Sequence, residues 1–508
     1  MNPDRRIRRI AIVGGGISGW LAAVTLSRRL GGNCSIHVIE GPEAPPSGEA
    51  LAILPPVLEL LRFLGIDQND FIERTQSTYC LGQRFLDWPA PGSSFWHPFG
   101  AFGALIERRP FYHFWHKARA AGMNPRPEFF STEVAMALSG RFIFPTNTLG
   151  VATHLRYSLH VDAALAARYL RTLAERAGVI RLERKLVDAT RREDGAVEEL
   201  QLEDGGKLRA DLFIDADARA GLITLMGVEF ESWQHLLPCD RILTAPQPLA
   251  DARVPYMAVK AGTAGWQWRM PLQRIVSSGL VYSSAHQSDD DAALELAGIA
   301  QPLLEPRLRS FASGRRRTFW EKNVVAIGPA AGSLEPLAIT DLQLSNSGLF
   351  GLLDHFPDTQ FDPANIAAYN ASIGQEFERI RDYILLHYCA ARREDTPFWR
   401  HFAELALPEE LSRRIELYRA TGRISIRGEE AFSDLDWFWI LDGAGVVPRD
   451  YDPLVDTVDF EHVKRVMLAI NQKVSSDVSS APTHDSFFAA ANARIGSARK
   501  AAAGASAG

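Results

Sequence analysis

The stretch RIAIVGGGISGW, residues 9–20, decides the fold of this chain. Residues 10–13 form an apolar run that indicates a buried strand, and three glycines and a helical pattern follow at once. Gly14, Gly16 and Gly19 have the G-x-G-x-x-G spacing, which allows a tight turn, close approach of a pyrophosphate and close packing of helix on strand. The N–H groups at the start of the helix would bind the phosphates. The stretch therefore predicts a dinucleotide-binding βαβ unit.

Three further segments extend this prediction. HVIE at residues 37–40 indicates a second strand, and it ends in Glu40 about 20 residues after the last glycine, where a carboxylate accepts hydrogen bonds from a ribose. The Pro/Gly-rich loop GPEAPPSGEA, residues 41–50, is expected to bring Glu49 back toward the nucleotide. NVVAIG at residues 323–328 indicates a late strand that closes on Gly328. The combination favours FAD over NAD.

Composition excludes several classes of protein. The chain has 508 residues, 46% hydrophobic and 23% charged, with 55 basic and 61 acidic side chains and a net charge of −6. Because no long run of Lys or Arg is present, nucleic-acid binding has little support. No stretch approaches the length of apolar sequence that a transmembrane helix needs, and the first apolar run is too short for a signal peptide. We therefore expect no membrane association and a cytoplasmic location.

The cysteines point to neither a disulfide framework nor a metal site. Cys34, Cys80, Cys239 and Cys389 lie far apart and form no C-x-x-C pair, which is typical of a reducing compartment. His113 and His116 fall three apart on an expected helix but have no third ligand beside them. We predict no bound metal.

A chain of this length is expected to fold as interleaved subdomains. Helices are predicted around 111–121 and 161–177, a β-meander at 185–217, a β-rich portion at 253–285 and an aromatic-rich loop after a strand within 75–100. The predicted segments are 1–110 (FAD-binding), 111–184 (helical, facing the substrate), 185–225 (FAD-binding, with the meander), 226–322 (substrate-domain sheet), 323–350 (FAD-binding), 351–473 (helical, substrate region) and 474–508 (flexible tail).

Four stretches carry a resemblance to the flavin-dependent tryptophan halogenase family. SGEALAILPPVLELLRFLGID (47–67) resembles its G-E-A segment, and GWQWRMPL (265–272) resembles its W-x-W-x-I-P signature with Met270 in place of isoleucine. GSLEPLAITDLQLSNSGL (332–349) resembles its E-P-L-E-S-T segment, and WFWILDGAGVVP (437–448) is similar to its late tryptophan-and-glycine motif. These stretches occur in the family's order across roughly residues 8–470.

The resemblance implies a flavin monooxygenase-type α/β fold, with a Rossmann-type FAD-binding domain, an inserted β-sheet and a helical C-terminal part. It implies FAD that a separate flavin reductase supplies in reduced form, and O2. Together these oxidise a halide to hypohalous acid, which then halogenates a small aromatic, indole-like substrate. A homodimer is a further candidate assembly. The expected FAD-binding residues are Gly14, Gly16, Gly19, Glu40, Glu49, Ala50 and Gly328.

The same resemblance assigns the remaining parts of the site. Trp266 and Trp268 would separate the flavin and substrate compartments, and Thr340 and Asp341 occupy the candidate halide site. The candidate substrate pocket consists of His97, Phe99, Trp437 and Trp439. His97 could be a general base or a structural histidine, and the aromatic side chains could equally fill the core.

This chain departs from the family where the halide chemistry occurs. The family lysine lies in a stretch like A-T-F-K-L-G-I-x-F, and the matching stretch from Ser77 to Phe85 has Cys80 at the lysine position. The family glutamate position is Ala338, and Asp341 replaces a glycine whose backbone helps to hold the halide. A thiol would be oxidised by hypohalous acid, alanine takes up no proton, and a carboxylate repels an anion by about 1–4 kcal/mol at roughly 4 Å.

Several interpretations therefore stay open. Arg84 could replace the missing lysine charge, since positions four apart share a face of a strand, or it could pair with Asp87 or Glu73 at the surface. Cys80 could be a reactive thiol or a small apolar core residue. The chain is predicted to be an FAD-dependent oxidoreductase acting on an aromatic substrate, with no catalytic residue assigned and ordinary halogenation disfavoured. The alternatives are a halogenase with rearranged catalytic groups and a non-catalytic FAD-binding paralogue.

Overall fold

The computed structural model describes residues 5–42, 48–145, 155–217, 221–298, 302–428 and 430–488. Its strands, in chain order, are β1 (Arg9–Val13), β2 (Ser35–Glu40), β3 (Ala50–Ala52), β4 (Thr78–Cys80), β5 (Gly82–Leu86), β6 (Ser94–Pro98), β7 (Ser158–Asp162), β8 (Ile180–Glu183), β9 (Leu186–Arg191), β10 (Val197–Leu202), β11 (Lys207–Arg209), β12 (Leu212–Asp215), β13 (Phe230–Ser232), β14 (Arg241–Thr244), β15 (Gln247–Pro248), β16 (Met257–Ala261), β17 (Gly265–Pro271), β18 (Ile275–Tyr282), β19 (Arg307–Ser310), β20 (Gly314–Arg316), β21 (Trp320–Glu321), β22 (Val324–Ala326) and β23 (Gly332–Ser333).

The α-helices are α1 (Ile17–Leu30), α2 (Pro55–Phe63), α3 (Gln68–Arg74), α4 (Phe111–Ala120), α5 (Thr132–Leu138), α6 (Ala163–Arg176), α7 (Leu222–Leu225), α8 (Asp289–Ala297), α9 (Asp341–Asp354), α10 (Pro363–Ala391), α11 (Pro397–Glu404), α12 (Glu409–Thr421), α13 (Asp434–Gly443) and α14 (Phe460–Ser480). Sequence signals account for several of their starts. Two prolines open α2, Asp162 caps α6, and Ser433 and Asp436 form a capping box at α13.

A mostly parallel sheet contains the predicted dinucleotide-binding βαβ unit. Its strand order is β21-β22-β12-β1-β2-β8, and only the β21–β22 pair is antiparallel among the described strands. Strands β1 and β2 are joined by α1, as a βαβ unit requires. Because β12 and β22 come from distant parts of the chain, the sheet is assembled from separate segments, as the sequence predicts.

A second, larger sheet lies beside it. Its strand order is β19-β14-β18-β17-β16-β5-β6, with β15 added along β18. Strands β16, β17 and β18 form an antiparallel meander, while β16 pairs with β5 in parallel. This sheet carries both tryptophans of GWQWRMPL. The helical C-terminal part packs against it, since α13 contacts β6 and α10.

These elements confirm the predicted fold class and most of the predicted elements. The predicted meander is β9, β10 and β11, with turns at Asp194-Gly195 and at residues 204–206, and the predicted helices are α4 and α6. The apolar core runs continuously through both sheets and the helical part. Within the described ranges, no helix has both the length and the apolarity needed to cross a membrane.

Three local expectations differ from the structure. The aromatic-rich segment around Trp96 is strand β6 rather than a loop, because it pairs with β5 along its whole length. Strands β5 and β6 belong to the large sheet, although they lie within the 1–110 segment assigned to the nucleotide domain. The chain also stays folded beyond residue 474: α14 reaches Ser480, and His484 and Phe488 are buried against Tyr79. Residues 489–508 of the predicted tail lie outside the described residues.

Candidate functional site

The glycine loop has the geometry that close packing of strand and helix requires. Gly14 has a φ of +112°, and a Cβ placed there would lie 2.8 Å from the carbonyl carbon of Ala216. A Cβ at Gly19 would collide with the carbonyl oxygen of Gly14. Gly16 differs, because a Cβ at this position would meet nothing within 4 Å. The first and third glycines are therefore needed for folding, and Gly16 borders open space at the N-terminus of α1.

Polar side chains lie at the Gly328 turn and along α9. Gly328 has a φ of +51° and lies beside Ser18 of α1 and Ser345 of α9, whose hydroxyl oxygens are 2.8 Å apart. Within the described residues, three buried side-chain oxygens of this helix and its cap have no hydrogen-bond partner: Thr340 Oγ1, Gln343 Oε1 and Asn346 Oδ1. Buried polar atoms are normally satisfied. Thr340 lines a cavity together with Glu49 and Asp341, so a polar ligand such as FAD could satisfy its hydroxyl.

Glu40 ends β2 as predicted, but its carboxylate already has partners. Trp20 Nε1 donates to Oε2 at 3.0 Å, Arg181 binds Oε1, and Arg171 lies 3.6 Å from the same oxygen. A carboxylate has about four acceptor positions. A ribose could therefore use the remaining ones, and the predicted role of Glu40 stays a prediction.

One cavity of about 60 Å³ brings together residues that lie far apart in the sequence. The predicted site residues among its lining are Glu49, Ala50, Trp266, Trp268, Thr340 and Asp341. Hydrogen bonds hold the segment before β3 in place: Gly48 N–H donates to Asp162 at 2.7 Å and Ala50 N–H donates to Ser277 at 2.9 Å. The G-E-A, W-x-W and E-P-L segments therefore meet at one point.

The charges in this cavity favour no anion. Arg309 on β19 lies 3.5 Å from Glu49, and its side chain is 57% exposed. Burial raises the pKa of Asp341 to about 6, with Glu49 adding to the increase and Arg309 opposing it. Above that pH, two carboxylates face one half-solvated guanidinium. Arg309 is a residue that sequence reasoning missed, because no motif connects β19 to the cavity.

The two tryptophans form one wall of the cavity, with ring centroids 6.1 Å apart. Trp266 Nε1 donates to Glu335 Oε1 at 2.6 Å, and the Tyr388 hydroxyl donates to the same oxygen. Burial raises the pKa of Glu335 to about 7. Trp268 Nε1 has no partner within the described part of the chain. Glu335 was also missed, since only the fold places it behind Trp266.

The positions of the family lysine and glutamate are both buried and uncharged. Cys80 is fully buried, its Sγ contacts the carbonyl oxygen of Gly82 at 3.4 Å, and burial raises its pKa to about 12. A thiol with such a pKa is not a nucleophile at neutral pH. Ala338 ends a buried 3-10 turn, Pro336–Ala338, and Ile339 follows with a φ of +61°.

The structure does not support Arg84 as a replacement for the lysine. Gly82 has a φ of +154° and begins β5, so that Cys80 and Arg84 lie on strands of different sheets. The shared-face argument fails because the strand is interrupted. The Arg84 guanidinium lies over the Trp96 ring, 5.6 Å from its centroid, and no ion pair with Asp87 occurs among the described residues.

Two of the candidate substrate residues, His97 and Trp437, contact Tyr383 of α10. The His97 ring centroid is 6.0 Å from that of Tyr383, which in turn is 5.6 Å from Trp437. Trp439 faces Phe102, with ring centroids 5.1 Å apart. All four predicted residues, His97, Phe99, Trp437 and Trp439, are buried.

These four residues do not share one surface in the structure. Trp437 lines a separate cleft of about 70 Å³ together with Glu430 and Phe432, whereas Trp439 packs into the aromatic core. His97 Nε2 lies 2.9 Å from Asp436 Oδ1, a contact that no sequence pattern indicates. A common substrate pocket therefore stays a prediction.

The histidines of α4 are core residues. His116 Nε2 lies 3.3 Å from the Tyr418 hydroxyl, and burial lowers the pKa of His113 to about 4 and that of His116 to about 3. In the part of the chain that the structure describes, no group of three His, Cys, Asp or Glu side chains is arranged to hold a metal ion.

Comparison with known proteins agrees with this arrangement. The family model for tryptophan halogenase matches residues 9–460. Tryptophan 7-halogenase KtzQ of Kutzneria sp. (strain 744) is 28% identical to this chain, and the alignment covers 96% of this chain and 98% of that protein.

Two solved structures are more similar in sequence. Xcc4156, a flavin-dependent halogenase from Xanthomonas campestris, is 36% identical with a TM-score of 0.92, covering 95% of this chain and 98% of its own. BrvH, a flavin-dependent halogenase from Brevundimonas sp. BAL3, is 37% identical with a TM-score of 0.91, covering 96% and 99%. Both are flavin-dependent, as the predicted FAD site requires. The chain belongs to the tryptophan halogenase family.

Proposed function

We propose that this protein uses reduced FAD and O2 to oxygenate a small, flat aromatic substrate without the need for a halide. One atom of O2 enters an aromatic C–H bond to give a hydroxyl group, the other leaves as water, and the reduced FAD returns to its oxidised form. The proposal rests on the contrast between the predicted FAD-binding residues, which the chain retains, and the positions of the halide path, which are Cys80, Ala338 and Asp341.

The chain's own residues support FAD binding. Gly14, Gly16 and Gly19 would receive the pyrophosphate at the N-terminus of α1, and Glu40 would accept hydrogen bonds from the ribose. Glu49, Ala50 and Gly328 would border the flavin, and the unpaired Oγ1 of Thr340 would face its polar edge. When bound, FAD supplies the redox chemistry, and the protein binds it, orients it and excludes water.

The charges of the cavity carry the argument against halide. A halide in the cavity would face Asp341 and Glu49 with Arg309 as the one cation among the described lining residues. Cys80 and Ala338 cannot hold or polarise an oxidised halogen, and Asp341 repels the halide itself. Three groups that halogenation by the family mechanism needs are therefore replaced. Oxygen transfer needs none of the three.

A halogenase with rearranged catalytic groups is the second candidate. Two halogenases share 36% and 37% identity with this chain over nearly its whole length, and the tryptophan wall is retained. This candidate requires a different group to direct the oxidised halogen. A third candidate is a non-catalytic FAD-binding paralogue, in which only the groove has been retained.

The proposed partners, substrate, location and assembly of the protein follow from the same proposal. A separate flavin reductase would supply reduced FAD, and the substrate would be an indole or phenol. We expect a cytoplasmic protein that binds neither nucleic acid nor membranes, and a homodimer is the candidate assembly to test by light scattering.

The test is a reaction of purified protein with FAD, a flavin reductase, NADH, O2 and a panel of indoles and phenols, with and without bromide. Gly16→Ala is the matched control, because it would block pyrophosphate at a position where the fold itself has room. A hydroxylated product that forms equally without bromide, and only with wild-type protein, supports the proposal. A product that requires bromide favours the second candidate, and FAD binding without any product favours the third.

A further inference from the structure

Gln83 occupies a position between the flavin-side cavity and the candidate substrate residues. It is fully buried on β5, and it stands where the family stretch quoted above has isoleucine. Its Nε2 contacts Met257 Sδ at 3.7 Å, and Met257 lines the cavity. Its Oε1 lies 3.4 Å from His97 Nδ1. The chain that lost two polar groups has therefore gained one.

The orientation of the Gln83 amide follows from its neighbours. Nε2 donates to the carbonyl oxygen of Leu337 at 2.9 Å, and a carbonyl can only accept. Oε1 must then face His97, and an amide oxygen can also only accept. The ring nitrogen opposite it, His97 Nδ1, therefore carries a proton.

The second ring nitrogen faces a carboxylate. His97 Nε2 lies 2.9 Å from Asp436 Oδ1, while the Ser433 N–H and hydroxyl both donate to Oδ2 at 2.7 Å. Burial raises the pKa of Asp436, but the hydrogen bonds that its carboxylate accepts, including the two from Ser433, outweigh burial, so that the pKa is lowered overall. An ionised carboxylate accepts only, so His97 Nε2 carries a proton as well.

Two further titratable side chains lie near His97 in the part of the chain that the structure describes, and both stay neutral. Tyr383 of α10 lies 3.2 Å from His97 Nε2, and burial raises its pKa well above the usual value, so that it stays neutral and can donate to the Asp436 carbonyl oxygen at 3.3 Å. Burial lowers the pKa of His387, also on α10, to about 3, and it too stays neutral. Phe432 covers the remaining side of the ring.

We propose that Gln83, His97 and Asp436 form a polar relay between the flavin-side cavity and the aromatic residues, in which His97 carries both ring protons. The relay deepens the proposed function and rests on it, because it would hold a protonated ring beside the candidate substrate residues. Gln83 and Asp436 are positioning residues, and His97 is the group that holds the proton. Through Leu337, the relay also fixes the turn that contains Ala338.

The first test reads the protons directly and needs neither FAD nor turnover. Protein labelled with 15N-histidine is examined by NMR at about pH 7.5, and the His97 signals are assigned by their loss in His97→Gln. Two protonated ring nitrogens are expected in the wild type, and one in Asp436→Asn, which retains most of the α13 cap. An unprotonated Nδ1 in the wild type would overturn the relay.

Gln83 variants give the second test. Gln83→Ile removes the acceptor at Nδ1 with an apolar side chain of similar size, so the Nδ1 proton signal should move or disappear through exchange with water. Gln83→Glu retains an acceptor there and should preserve the signal. Gln247→Leu is the matched control, because it removes another buried amide, bonded to Ser278 at 2.6 Å, far along the sheet. An unchanged His97 spectrum in Gln83→Ile would contradict the assigned role.

Turnover separates this inference from the proposed function. If an aromatic product forms, Gln83→Ile should lower kcat with little change in KM, and Gln83→Glu should restore part of the loss. If no product forms with any aromatic but both His97 protons are present, the proposed function fails and the relay's geometry stands. Product formation by Gln83→Ile at the wild-type rate would refute the relay's part in the reaction.

Discussion

Two regions of this molecule differ in how far they follow the family. The nucleotide half contains the glycine loop, Glu40 and Gly328, and the oxidant half contains Cys80, Ala338, Asp341 and the tryptophan wall. The nucleotide half has the glycine loop, the acidic end of β2 and the Gly328 turn in the expected places around an open groove. The oxidant half retains the tryptophan wall but has Cys80, Ala338 and Asp341 at the positions of halide chemistry. The difference teaches that a binding groove and a reaction path can diverge separately within one continuous core.

The physical reason lies in what each half requires. The groove depends on backbone geometry, since Gly14 and Gly19 touch neighbouring backbone and a substitution there disturbs the fold. The oxidant half depends on the chemistry of its side chains. Cys80 and Ala338 are small, uncharged residues that pack within the core at these positions. Both residues are buried, so the proposed function requires a change of chemistry at positions that remain part of the core.

Gly16→Ala should give the largest effect and tests the nucleotide half. Its φ of −73° suits alanine, and a Cβ there meets no protein atom, so the melting temperature should stay the same. The methyl group would meet the pyrophosphate at a cost of about 1–3 kcal/mol, which weakens FAD binding by about 5- to 150-fold. Fluorescence titration with FAD measures this, and Gly32→Ala, also in open space, is the control. Equal affinity in the two variants would remove the pyrophosphate from the glycine loop.

Asp341→Asn should raise the affinity of the cavity for halide. Removal of one charge about 4 Å from a bromide lowers the repulsion by about 1 kcal/mol where water screens it, or about fivefold in affinity. Because the pKa of Asp341 is about 6, wild-type protein should bind bromide more tightly below that pH, and Asp341→Asn should lose this dependence. Quenching of tryptophan fluorescence by bromide reports binding, with the exposed Asp251→Asn as control. Tight binding by the wild type at pH 8 would contradict the account of the cavity.

Glu335→Gln tests the carboxyl group that supports the tryptophan wall, because Glu335 accepts a hydrogen bond from Trp266. The folded-state pKa of Glu335 is raised to about 7. A carboxyl group whose pKa is raised on folding contributes stability below its unfolded value, and this contribution is lost as the pH rises through the folded value. The melting temperature of the wild type should therefore fall between about pH 5 and pH 8. Glu335→Gln should show a shallower fall, although Glu133 and Asp215, whose pKa values are also raised to about 7, retain part of it.

The effect of Glu335→Gln on the pH dependence of the melting temperature should be specific to this buried carboxyl group. Glu321→Gln, at a partly exposed position, is the control and should follow the wild-type curve. A Glu335→Gln curve with the full wild-type slope would mean that this carboxyl group is ionised in the folded protein.

Cys80→Ala should give the smallest effect. Removal of a buried sulfur leaves a small cavity and costs about 1 kcal/mol, with no change in product or rate. Calorimetry and a turnover assay measure the two quantities, and Cys34→Ala, at a partly exposed position, is the control. A loss of turnover in Cys80→Ala alone would make the thiol part of the reaction path.

Much of the fold could be predicted because the decisive signals are local. The glycine spacing, the proline start of α2 and the Asp-Gly turns of the meander each depend on a few neighbouring residues. The fold class and most elements followed from them.

The errors and omissions arise where distant segments meet. Gly82 ends the pairing of β4 and starts β5 in another sheet, and this broke the expected shared face of Cys80 and Arg84. The contact of Trp266 with Glu335 and that of His97 with Asp436 join residues far apart in sequence, and no periodicity reveals them. Burial of Phe488 against Tyr79 likewise could not be inferred from a segment rich in Ser and Ala.

The most direct test of halide-independent oxygenation is a reaction under 18O2 with reduced FAD and an accepted indole or phenol. The product mass is compared with and without bromide. The account predicts a product that contains one 18O atom and forms at the same rate in both reactions. A brominated product without 18O, formed only when bromide is present, would contradict it.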